Sequence, residues 1–140
     1  MKLSNEKYSE LISLANSARG RSYSPFSHFA VGAALLTKEG KIYTGTNVEN
    51  SSYGATVCAE RVAFFGAVHA GEKKFKAIAI VGGKAREPIS AHTPPCGVCR
   101  QVMAEFCDGD FLVITSDGKE ERVKTLNEIF PDTFSGKNLD

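Results

Sequence analysis

The sequence has no run of basic residues, no long apolar stretch, no internal repeat and no low-complexity segment. Each absence removes a class of function. Across 140 residues, 17 Lys and Arg face 16 Asp and Glu, a net charge of +1. The chain thus lacks the cationic bias that phosphate neutralisation demands of a nucleic-acid binder. No segment approaches the ~20 apolar residues needed to cross a bilayer, and Met1 to Lys7 carry no signal-peptide core. The expectation is a cytoplasmic protein with neither a nucleic-acid nor a membrane partner. Cysteine is also scarce, at four residues. Where thiols stay reduced, those four point to metal binding or catalysis before disulfides. The length suits one domain spanning residues 1–140.

What is present reads as an α/β pattern. Apolar residues from Tyr8 to Ala18 recur at helical spacing. Phe29 to Leu36 has the small and branched residues of a covered strand, and Lys41 to Thr46 returns antiparallel after a Glu39-Gly40 turn. Cys58 to Ala70 predicts a helix closed by Gly71. Ala77 to Val81 predicts a short buried strand bounded by Gly82-Gly83, followed by a loop over Lys84 to Pro95. Pro95 suits a helix start, so Cys96 to Cys107 is expected to be helical, with Val102, Met103 and Phe106 facing inward. Phe111 to Thr115 and Glu121 to Lys124 form two more strands, Thr125 to Glu128 has the form of a capping box, and Ser135 to Asp140 reads as a loose tail.

Chemistry concentrates in two clusters, Cys58-Ala59-Glu60-Arg61 and Pro94-Pro95-Cys96-Gly97-Val98-Cys99. Three thiolates from Cys58, Cys96 and Cys99 leave the fourth corner of a tetrahedral Zn2+ open, the arrangement of a catalytic rather than a structural site. Cys58 and Glu60 are two apart and would diverge on a regular helix, so the site belongs at a helix end, where first-turn side chains converge. Two helix N-termini would then favour the thiolates through their partial positive charge. Three thiolates leave zinc with a net negative centre, and Arg61 is the candidate for offsetting it by donating to cysteine sulfur. A Cys-x-x-Cys alone would equally suit a structural half-site or a redox pair. A structural site needs a fourth ligand, however. Cys107 reads as a core thiol, and His28, His69 and His92 read as surface or loop residues without ligand spacing, His92 lying nearest the site in sequence.

A Cys or His two residues before Glu, followed later by Pro-Cys-x-x-Cys, is the signature of the zinc deaminases of nucleobases and nucleosides. Over nearly its whole length the chain resembles the small cytidine deaminases. Beyond the zinc motifs, the resemblance rests on Tyr23 to Ala34, Gly45 to Asn50 and Cys96 to Gln101. It implies a three-layer α/β/α fold with a mixed five-stranded sheet and one Zn2+ per chain. The implied reaction is hydrolytic deamination of cytidine and 2′-deoxycytidine, with Glu60 shuttling protons to N3 and to the departing ammonia. It further assigns Phe29 to stacking on the base, Asn47 and Glu49 to the ribose hydroxyls, and the backbone near Ala59 to reading the base. Family members are homotetramers in which neighbours supply aromatic groups to each pocket; Tyr53 and Phe134 occupy those positions. The chain departs from the pattern in a longer Lys84 to Pro95 loop and in Phe130-Pro131. The nearest rival is a deaminase of a related aminopyrimidine nucleoside such as blasticidin S; Glu49, suited to a ribose hydroxyl, favours the ordinary nucleoside.

Overall fold

Helix α1 (Asn5–Ala18) begins where the Ser4 hydroxyl accepts from the Lys7 amide, an N-cap that extends the expected helix by one turn. The computed structural model, which describes residues 2–140, continues with strands β1 (Phe29–Thr37) and β2 (Ile42–Thr46), helix α2 (Ala59–His69) and strand β3 (Phe75–Lys84). Helix α3 (Gly97–Phe106), strands β4 (Leu112–Ser116) and β5 (Glu121–Thr125) and the short helix α4 (Leu126–Ile129) complete it. The strands form one mixed sheet in the order β2-β1-β3-β4-β5, in which only β3 and β4 run parallel.

Alternation along the strands divides the apolar residues between two faces. Ala34, Leu36, Ala77, Ala79, Val81, Leu112 and Ile114 meet Tyr8, Leu11 and Ala15 of α1. Ala33, Leu35, Ile78, Ile80 and Val113 meet α2, α3 and Leu126. The result is the expected three-layer α/β/α arrangement. Phe64 of α2 anchors the second layer, its ring centroid 5.1 Å from Phe75, 5.9 Å from Phe111 and 6.1 Å from Phe106. Each such aromatic pair contributes about 0.5–1.5 kcal/mol beyond area burial.

Three expectations are corrected. The strand expected over Ala77 to Val81 runs from Phe75 to Lys84, because β1 pairs with it along its whole length: Val31 lies opposite Gly82, Ala30 opposite Gly83 and Phe29 opposite Lys84. Gly82 therefore marks a close approach and not a turn. A Cβ there would lie 2.7 Å from Thr93 Oγ1 and 3.0 Å from Phe29 Cε2. Second, Cys96 is the extended N-cap of α3, so Pro95 precedes the cap instead of opening the first turn, and Cys107 is the C-cap. Third, the loose tail expected over Ser135 to Asp140 holds a 3-10 turn, Gly136–Leu139, closed by a reciprocal Ser135–Asn138 capping box.

Candidate metal centre and active site

Both clusters sit at helix starts, for local reasons that can be named. Cys58 and Cys96 are the extended N-caps of α2 and α3, and Cys99 lies in the first turn of α3. Helix α2 is seated against β2 at Gly45, where a Cβ would come within 2.4 Å of Ala59 O and 2.6 Å of Ala63 N. Only glycine lets the backbones approach this far. The sulfur of Cys96 lies 3.8 Å from that of Cys58 and 3.6 Å from that of Cys99. With Zn–S bonds of about 2.3 Å, tetrahedral geometry separates two sulfurs by about 3.8 Å. Both separations fit Zn2+, and all three sulfurs lie within 4.8 Å of one another.

The electrostatics point the same way. Without a cation between them the thiols cannot all ionise together. Cys58 is drawn down to about 5, chiefly by its hydrogen bond with Cys99 and then by Arg61, while the same pairing and burial push Cys99 far up. A divalent cation lifts that conflict. Arg61 Nη2 donates to Cys58 Sγ at 3.4 Å, the contact expected of it, and pairing with that thiol raises its pKa. Glu60 is only 4% exposed, and burial pushes its carboxyl up to about 7. It can therefore gain and lose a proton near neutrality.

Beside the metal centre, Phe29 opens β1 with its ring 39% exposed and packed over Gly82. Asn47 is buried and almost fully engaged. Its Oδ1 accepts from Ser22 Oγ at 2.6 Å and from Val31 N at 3.0 Å, and its Nδ2 donates to Phe29 O at 2.8 Å. Glu49 Oε1 accepts from the amides of Phe26 at 2.9 Å and Ser27 at 3.1 Å, and Oε2 accepts from the Ser27 hydroxyl. These bonds, led by that from the Ser27 hydroxyl, hold Glu49 below the usual carboxylate range. Both residues thus position the segment carrying Phe29.

Residues 5–115 match the family model for the cytidine and deoxycytidylate deaminase zinc-binding region. The chain belongs to this deaminase family. It is 46% identical over 131 residues to the cytidine deaminase of Sporosarcina psychrophila, covering 93% of each chain. The crystal structure of cytidine deaminase from Burkholderia pseudomallei superposes with a TM-score of 0.81 at 42% identity, covering 94% of this chain and all of that one. The blasticidin-S deaminase of Bacillus cereus is a more distant relative, 33% identical over 129 residues and covering 87% of this chain and 88% of that one.

Within this deaminase fold, Cys58, Cys96, Cys99, Glu60, Ala59 and Arg61 come together at the two helix starts, while Phe29, Asn47 and Glu49 form a second group at the mouth of β1. Tyr53 and Phe134 stand apart as exposed rings, at 74% and 57%. Tyr53 meets Phe26 edge-on at 5.7 Å, and Phe134 O accepts from Gln101 Nε2 at 2.9 Å.

Several supporting residues were not assigned a role from sequence. Ser22 and Ser27 hold Asn47 and Glu49, and Arg100 braces the zinc loop by donating from Nε to Pro95 O at 2.8 Å and from Nη1 to Ile129 O. Arg100 stands directly after Cys99 within the matching segment Cys96 to Gln101, and that place was its signal. His92, read as a surface or loop residue, lies in the loop after β3, but its side chain is largely buried there, with Nδ1 2.8 Å from Thr115 Oγ1.

Proposed function

We propose that the chain catalyses the hydrolytic deamination of cytidine and 2′-deoxycytidine to the corresponding uridines, with release of ammonia. The observation that carries this reading is the junction of three convergent thiols with one buried carboxylate poised near pH 7. When bound, zinc supplies Lewis-acid activation of water near neutral pH. Cys58, Cys96 and Cys99 would hold it, and the Arg61 guanidinium, which donates to Cys58 Sγ, would offset their charge. Glu60 takes a proton from the attacking water and delivers it to N3 of the pyrimidine, which makes C4 electrophilic; it then takes the proton of the new C4 hydroxyl and passes it to the amine, which leaves as ammonia while the C4 carbonyl forms. A carboxyl near 7 serves both directions of that shuttle.

Phe29 offers its exposed ring to the base, and the backbone at Ala59 reads the base edge. Asn47 Oδ1 already accepts twice and Nδ2 has given one hydrogen to Phe29 O, so Asn47 meets the ribose as a donor through its second hydrogen. Glu49 keeps one acceptor site, on Oε2, for a ribose hydroxyl, and its charge disfavours a nucleoside phosphate. Tyr53 and Phe134, exposed in the single chain, suit a homotetramer in which each subunit completes a neighbour's pocket. The role that fits is cytoplasmic pyrimidine salvage. Purified chain mixed with cytidine, 2′-deoxycytidine or blasticidin S, followed by ultraviolet absorbance and ammonia release, tests the reading. Turnover of the two ordinary nucleosides is expected; turnover of blasticidin S alone, or of none, would overturn it.

A further inference from the structure

A second group of ligating atoms, distinct from the cysteines, has no role assigned above. His92, from the loop after β3, meets Asp117 and Glu120 of the β4–β5 turn, and each of the three can bring one ligand atom within 4.8 Å of the others. We propose that these residues form a second site, for a borderline divalent transition-metal ion, separate from the cysteine centre.

The decisive observation is the histidine ring. The His92 side chain is 10% exposed, and its Nε2 is buried without a hydrogen-bond partner, an arrangement that is costly unless something occupies it. Its other nitrogen, Nδ1, is 2.8 Å from Thr115 Oγ1. With Nδ1–H donated to that hydroxyl, the lone pair falls on Nε2, which is how metal-binding histidines are oriented. Nε2 then faces Asp117 Oδ2 at 3.9 Å, too long for a hydrogen bond. Two ligands about 2.1 Å from one tetrahedral ion stand about 3.4 Å apart, so an ion fits that gap with a small adjustment.

Asp117 is prepared for the role. Its Oδ1 accepts from the amides of Lys119 at 2.8 Å and Glu120 at 2.7 Å, which leaves Oδ2 to the ion. Those amides hold its carboxyl below the usual range, so it is ionised. Glu120, exposed, adds a third ligand, the second oxygen, from the same turn. The turn packs on the loop that carries His92: a Cβ on Gly118 would meet Ile89 O at 3.2 Å. Arg122 and Lys124 line the cavity beside His92 and oppose a cation there, which limits affinity without blocking the ligands. One imidazole with two carboxylates suits Zn2+ or Co2+ over Ca2+ or Mg2+.

The test adds Co2+ to the full chain already loaded with zinc at its cysteines, and reads stoichiometry, visible absorption and melting temperature. Expected are one further equivalent of Co2+ per chain, d–d bands without thiolate charge transfer, and a raised melting temperature. Asp117→Asn, which retains an oxygen for the turn amides, and His92→Gln should each weaken that equivalent at least tenfold while cytidine turnover stays at the parental level. Absence of saturable binding, thiolate charge-transfer bands, or binding undiminished in both variants would overturn the proposal.

Discussion

Gly45→Ala tests whether one backbone approach seats the helix that carries Glu60. A Cβ at this position would lie 2.4 Å from Ala59 O, against the 3.4 Å where ordinary contact begins, so the first turn of α2 must retreat by about 1 Å. That turn carries Glu60 and is capped by Cys58, whereas Cys96 and Cys99 ride on α3 and would stay behind. Overpacking of this kind costs typically ~1–3 kcal/mol. A displacement of that size in a catalytic constellation can cost ~100-fold in rate. The assay is kcat/KM for cytidine beside zinc content and the urea midpoint, with Gly66→Ala as the control. Gly66 lies in the same helix with open space around its Cβ position, so alanine there should stabilise by about 0.5–1 kcal/mol and leave turnover intact. Parental activity and stability in Gly45→Ala would refute the reasoning.

Other perturbations probe the remaining contacts. Arg61→Ala removes the donor to Cys58 Sγ and should lower zinc affinity or turnover by ~10–100-fold, read by competition with a chromogenic chelator and by initial rates. Zinc removal by a chelator should abolish turnover and lower the melting temperature, both restored by Zn2+, since the thiols otherwise hold each other partly protonated. Glu49 has a folded pKa below its ordinary value, so its stabilisation is complete above about pH 4.3 and is lost as the pH falls through the lowered value. Between pH 5 and pH 3, Glu49→Gln should therefore lose less stability than the parent in urea titrations; an equal loss would remove Glu49 from the acid response.

The chemistry was legible because it depends on residue type and spacing. Cys58, Glu60, Cys96 and Cys99 announce a metal and a proton carrier before any fold is known, and two-residue separation already requires a helix end. The layers were legible because apolar alternation in β1, β3 and β4 has only two faces to fill. Glycine misled: Gly82 resembles a strand terminator, and only pairing with β1 and the nearness of Phe29 and Thr93 reveal a close approach. His92 was hidden for a related reason. Its partners Thr115 and Asp117 lie more than twenty residues away and become neighbours only when the loop crosses the sheet end. The engagements of Asn47 and Glu49 with Ser22 and Ser27 are likewise non-local, so a positioning role was invisible beside a binding one. The terminal 3-10 turn depends on one reciprocal pair, Ser135 and Asn138, too short a pattern to stand out from a polar tail.

The central claim, that buried Glu60 carries protons beside a three-cysteine zinc centre, is tested most directly by comparing the parent with Glu60→Gln at equal measured zinc content, following the absorbance fall of cytidine. Glutamine keeps the size and burial but cannot shuttle a proton, so a loss of at least ~100–10,000-fold in kcat is predicted with zinc retained. Turnover within a few-fold of the parent at equal zinc would contradict the account.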